Sequence, residues 1–144
     1  LAVSKIVRDL ERVGDELEKV GKLSLESFDS PDDVGITEIQ RIAEQVAKML
    51  SESLTAFARL DINLAKDIFE RERKVDKVYQ SALRSLATFM IEDPRNIGRV
   101  LNIVWIARSL ERVGDHATNI AEYVIYLVQG VDVRHPSVNE NSFT

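Results

Sequence analysis

From the first residue of the chain, apolar positions recur every three or four residues, a spacing that predicts amphipathic helices throughout. Val3, Ile6, Val7, Leu10, Val13, Leu17 and Val20 form the first stripe, which is already running at Leu1. A helix without a capping residue at its start is expected to continue from upstream, so the segment reads as the C-terminal part of a longer protein. Periodicity is lost over Phe28-Asp29-Ser30-Pro31-Asp32-Asp33-Val34-Gly35, which has the composition of a linker. Thr37 with Gln40 three residues later predicts a capping box for the next helix. That helix carries Ile39, Ile42, Ala43, Val46, Met49, Leu50, Leu54 and Phe57. The register slips near Leu60-Asp61 without a Gly or Pro. One helix from 38 to 92 would be very long for a globular domain, so a tight turn is placed there with Asp61 as N-cap. A third stripe of Leu64, Ile68, Val75, Tyr79, Leu83, Leu86 and Met90 stops at Asp93-Pro94, an N-cap and first-turn proline for the last helix. The last helix is predicted over residues 96–129, with Gly130 as its stop.

No segment alternates as a strand would. The fold class is therefore all-α: a complete up-down-up three-helix bundle over 36–130, preceded by one helix of a second bundle over 1–30. Residues 131–144 are polar, contain Pro136, and are expected to form a flexible C-terminal tail. The apolar stripe of the first helix has no bundle of its own within the chain. It is expected to pack on another copy or on the chain's own second bundle.

Composition narrows the function. The 144 residues include 24 acidic and 19 basic side chains, a net charge of -5, which argues against nucleic acid as a partner. The absence of cysteine excludes disulfides, thiol nucleophiles and thiolate-bound metals, and fits a reducing compartment. No apolar run approaches the roughly 20 residues of a membrane span, and the charges from Lys5 onward do not fit a signal peptide. A soluble, intracellular, acidic domain is the expectation.

Two identical hexapeptides, Leu10-Glu11-Arg12-Val13-Gly14-Asp15 and Leu110-Glu111-Arg112-Val113-Gly114-Asp115, stand 100 residues apart and point to an internal duplication. In each copy Glu and Asp are four residues apart, so both carboxylates share one helix face. The like-charge pair costs an isolated helix roughly 0.2–0.5 kcal/mol, and the mid-helix glycine roughly 1 kcal/mol more. A third pair, Glu72 and Asp76, interrupts an otherwise apolar stripe, where a carboxylate is costly unless it is paired or metal-bound. In an antiparallel bundle Glu72 and Asp76 can face Glu111 and Asp115, converging on one hard cation or a small cluster. The glycine would let a neighbouring helix approach closely enough to complete the coordination. Divalent or trivalent Fe, Zn, Mn or Mg are the candidate ions. Glu11 and Asp15 are the candidate ligands of the other bundle.

Helix salt-bridge spacings, Arg8 to Glu11, Arg108 to Glu111 and Asp15 to Lys19, support the alternative of a purely structural bundle with solvated acids. A metal-dependent hydrolase or oxidase is a further alternative. It lacks the Glu-x-x-His signature of di-iron bundles, because Val113 and Asp132 precede His116 and His135 by three residues. His116 reads as a surface or packing residue. Trp105 and Phe69 lie off the main stripes, either widening the core face or forming an interface patch. No nucleophile–base constellation or phosphate-cradling glycine loop is present, so no catalytic residue is assigned.

The segment Arg108-Ser109-Leu110-Glu111-Arg112-Val113-Gly114-Asp115-His116-Ala117-Thr118-Asn119-Ile120-Ala121-Glu122 resembles the signature of the PhoU family. Asp93-Pro94-Arg95, the exit Gly130-Val131-Asp132-Val133-Arg134-His135, the Glu72/Asp76 pair and the Leu10–Asp15 copy extend the resemblance. It implies tandem three-helix bundles that bind metal through Glu/Asp-x-x-x-Asp motifs, a cytoplasmic location and homo-oligomers, often dimers. It also implies a non-enzymatic negative regulator of phosphate uptake and of the phosphate-starvation response. The implied partners are the ATPase subunit of the phosphate ABC transporter and a sensor histidine kinase. The chain departs from the family's pattern in lacking two helices of the first bundle, which would partner Glu11 and Asp15. After Asp15, Glu16-Leu17-Glu18-Lys19 also replaces His116-Ala117-Thr118-Asn119.

Overall fold

The second helix buries Ile39, Ile42, Val46, Met49, Ser53 and Ala56, a seam with alternating steps of three and four that presents one narrow face to the core. In the computed structural model, which describes residues 1–130, this helix spans Ile36–Arg59 and is designated α2. It is preceded by α1 over Ala2–Ser27 and followed by α3 over Ile62–Glu92 and α4 over Ile97–Gln129. Among the described residues the only other element is a single 3-10 turn, Pro94–Asn96. None of the helices is long and apolar enough to cross a membrane. The predicted tail, 131–144, lies outside the described residues.

The connections follow from local chemistry. Leu60 takes the left-handed conformation (φ 51°), and Asp61 then caps α3 by accepting from Leu64 N at 3.0 Å, as the slip in periodicity predicts. Asp93 accepts from Arg95 N at 3.1 Å, so the cap-and-proline pair opens the 3-10 turn that feeds α4. Gly130 ends α4 with φ 66°. The expected Thr37–Gln40 capping box does not form: Gly35 is the N-cap of α2 and makes no side-chain cap bond. The preceding loop is instead folded around Asp33, whose Oδ2 accepts from the backbone N–H groups of Asp29 and Ser30 and from Arg99 on α4. That arrangement brings the chain into α2 through Gly35 at φ +89°, against Ile103 and Leu86.

Helices α2, α3 and α4 form the expected three-helix bundle around Met49, Ile68, Leu86, Ile103, Ile106 and Val113. α4 touches both bundle partners and also α1, so it buries Ala107, Leu110, Ala117, Ile120, Ala121 and Val124 around much of its circumference. α1 is antiparallel to α4: its start meets Ile120 and Tyr123, its middle meets Arg112 and His116, and its last residue accepts from Arg99. The first helix thus packs on the chain's own three-helix bundle, one of the two surfaces expected for its stripe. The sequence stripe is wide enough to serve two directions. Ile6 and Val13 turn inward to α4, and Val3, Val7, Leu10 and Leu17 point outward, between 37% and 54% exposed.

A Cβ at position 35 would lie 3.0 Å from two carbons of Ile103 and 3.2 Å from Leu86. Gly35→Ala should therefore cost about 2–4 kcal/mol, from left-handed strain and overpacking together, read as a lower urea midpoint.

Candidate metal centre

α3 and α4 place Glu72, Asp76, Glu111 and Asp115 on the wall of one cavity of about 550 Å³. Met49, Phe69, Val75, Arg73 and Gly114 complete the lining. The interruption of the α3 stripe is real: the buried residues jump from Ile68 to Val75, and Glu72 stands in the gap. Phe69, off the main stripe, packs on the core and forms part of the wall, whereas Trp105 stays 57% exposed.

Burial is the largest reason that the carboxyls of Glu72, Glu111 and Asp115 are all held above their ordinary range. Mutual repulsion adds to it, as Asp115 raises both Glu72 and Glu111 and Asp76 acts on all three. Arg108 offsets part of this, with Nη1 3.1 Å from Glu111 Oε1. The basic groups nearby do not neutralise the cluster, since the net shifts remain upward. The donors share a cavity without closing on a single point: among the described residues, no three His, Asp or Glu side chains are grouped closely enough to hold an ion.

Gly114 faces α2, not the carboxylates of α3. A Cβ there would sit 3.7 Å from Met49 Sδ and 3.8 Å from Val46 Cγ2, ordinary contacts, so the close approach expected of this glycine is not required by packing. Glu11 and Asp15 occupy the exposed outer face of α1, with no helix of the described residues beside them. The structure therefore brings four of the six candidate ligands together and leaves the other two apart.

Three polar residues at these positions were not singled out from sequence. Buried Thr118 lies one turn beyond Asp115, and its hydroxyl has no hydrogen-bond partner among the described residues. Asp9 and Glu16, both more than nine-tenths buried, line the contact between α1 and α4. Asp9 Oδ1 is 2.8 Å from His116 Nδ1 and accepts from Asn119 Nδ2 at 3.2 Å. Glu16 Oε1 lies 3.5 Å from Lys19 and 3.8 Å from Arg112. The available signal was the divergence of the repeat after Asp15: Glu16 and His116, which differ, are both at this contact.

An all-helical bundle with tandem Glu-x-x-x-Asp pairs on adjacent helices defines a class of carboxylate-bearing helical proteins. Residues 39–124 match the family model described as the PhoU domain, and the chain belongs to that family. It is 54% identical over 138 residues to the phosphate-specific transport system accessory protein PhoU homolog of Pseudomonas aeruginosa, covering 94% of this chain and 56% of that protein. Identity to the phosphate-specific transport system accessory protein PhoU of Escherichia coli K12 is 38% over 140 residues, covering 97% and 58%. The crystal structure of PhoU from Pseudomonas aeruginosa superposes with a TM-score of 0.83 at 53% identity, covering 90% of this chain and 63% of that one. The chain thus spans a little over half the length of these relatives.

The raised carboxyls set a sign for pH dependence. A carboxyl whose folded pKa is raised disfavours folding above that pKa, and the penalty is relieved as pH falls through it. Chelator-treated protein should gain stability from neutral pH toward 4.5, the ordinary value for glutamate. Glu72→Gln with Glu111→Gln should flatten that gain in urea titrations. Asp33 and Asp93 are shifted downward by their hydrogen bonds, so their contribution is lost only as pH falls below 3.8.

Proposed function

We propose that the chain is the metal-binding part of a regulatory adaptor that restrains phosphate uptake and the phosphate-starvation response. In this reading it links the ATPase subunit of a phosphate ABC transporter to a sensor histidine kinase in the cytoplasm, without catalytic turnover. Family membership and the accessory-protein names of its relatives support the transport role. The single observation behind metal binding is the shared cavity of Glu72, Asp76, Glu111 and Asp115, whose negative charges lack sufficient compensation. The donor set is all oxygen, which suits Mg, Mn or Fe better than Zn. A bound cation would offset the repulsion and tie α3 to α4.

We read residues 1–30 as the last helix of a second three-helix unit, with Glu11 and Asp15 as its half of an equivalent centre. The identical hexapeptide supports this, as does the outward face of Val3, Val7, Leu10 and Leu17.

Protein purified without chelator should carry near-stoichiometric metal and melt at a lower temperature after EDTA. Glu111→Gln with Asp115→Asn should abolish the EDTA response, while metal-free stability stays level or rises by about 0.5 kcal/mol through relieved repulsion. A metal-free chain indifferent to both EDTA and added ions would instead make the pairs a solvated surface. In the source cell, loss of the protein should raise phosphate uptake at high external phosphate. The Glu72→Gln, Glu111→Gln, Asp115→Asn variant should fail to restore restraint, even when expressed at wild-type level.

A further inference from the structure

The duplicated hexapeptides lie on antiparallel neighbours, so the crossing of α1 and α4 has two equivalent flanks related by the repeat offset. Each flank is a cleft. The first, about 190 Å³, is lined by Lys5, Arg8, Asp9, Arg12, Asn119 and Tyr123. The second includes Arg112, Ser109, Lys19 and Leu23, the repeat equivalents of Arg12, Asp9, Asn119 and Tyr123.

The two clefts differ in how their cations are neutralised. In the second, the carboxylate of Glu16 reaches Arg112 and Lys19 from within the fold, and its side chain is only 11% exposed. The equivalent of Glu16 in the first cleft is His116, which supplies no anion. The carboxylate that is present there, Asp9, is turned to His116 and Asn119 on α4. Among the described residues Arg8 and Arg12, like Arg41, Arg59 and Arg84, have no carboxylate within 4 Å, but Arg8 and Arg12 line one cleft together. Lys5 is held over the ring of Tyr123, 5.6 Å from its centroid.

We infer that the first cleft binds a phosphate-type dianion, either as the free ion or as a phosphate monoester, against Lys5, Arg8 and Arg12, supplying the anion that Glu16 supplies to the cations of the opposite flank. Three cations against Asp9 leave two positive charges, which match a dianion better than a single carboxylate. Arg8 and Arg12 are one helical turn apart, about 6 Å at their Cβ atoms, within reach of one tetrahedral group by bidentate guanidinium contacts. The volume is below the roughly 300–1,000 Å³ of sites for drug-sized ligands, so it admits the anionic group and little else. The site is separate from the carboxylate cavity and needs no metal.

The test is calorimetric titration of EDTA-treated protein at constant ionic strength with inorganic phosphate, O-phosphoserine and acetate. Saturable binding of phosphate or phosphoserine is expected, with acetate bound at least about tenfold more weakly. Arg8→Gln with Arg12→Gln, both exposed positions, should weaken binding at least about tenfold, and Lys22→Gln in the opposite cleft should leave it unchanged. Binding of both ligands, or of inorganic phosphate alone, assigns the site to the free ion. Binding of phosphoserine alone assigns it to a phosphoryl group carried on a larger molecule. Absence of saturable binding to either, binding that survives the Arg8/Arg12 substitutions, weakening by Lys22→Gln, or equal affinity for acetate would overturn the inference.

Discussion

Three helices compete for the surface of α4, and the rest of the molecule is arranged around that constraint. A helix packed on one side needs a single stripe, but α4 meets α1, α2 and α3 and must be apolar or small over most of its circumference. Ala107, Ala117 and Ala121 keep the neighbouring axes close, and Ile103, Ile106 and Ile120 fill the spaces between them. The polar residues that α4 retains are consequently near or under a neighbour, where each requires a partner. Glu111 and Asp115 are directed toward α3, and Arg112, His116 and Asn119 toward α1.

The two sides answer that requirement differently. At α1 the polar groups are complementary: Asp9 meets His116 and Asn119, and Glu16 meets Arg112 and Lys19. Buried charges tolerate such a contact only when hydrogen-bonded or paired, so α1 docks in a single register despite its modest apolar contact. At α3 the charges are alike, and burial raises the carboxyl groups even though Arg108 pairs with Glu111. A self-contained domain would gain stability by replacing them. Their placement in one cavity is the observation behind the proposed counter-ion.

The helical architecture was legible because a 3.6-residue period extended over long segments is unambiguous, and Asp61 and Asp93 are local caps whose chemistry does not depend on the rest of the fold. The Glu72/Asp76 pair was legible for a related reason, because it broke an apolar stripe. Thr37 misled because a capping box is also an ordinary pair of helix residues, and only the loop folded around Asp33 makes Gly35 the start of α2. That α1 docks on the bundle was one of two expectations, but its receiving helix was not legible: the stripe is compatible with any apolar surface, and nothing local marks α4 as that surface. Asp9 and Glu16 escaped notice for the same reason, since a buried acid on α1 acquires meaning only beside His116 and Arg112.

The connectivity also orders the assembly in time. α2, α3 and α4 are joined by short turns, so their contacts close small loops and form early in a chain dominated by local pairing. The contacts of Asp9 with His116 and Asn119 bridge 107 and 110 residues, and the ordering entropy of that long closure is offset only once α4 presents a finished surface. α1 is thus the element expected to dock last. Release of α1 would uncover the face of α4 that carries Ile120, Tyr123, Arg112 and His116, on the side away from the carboxylate cavity.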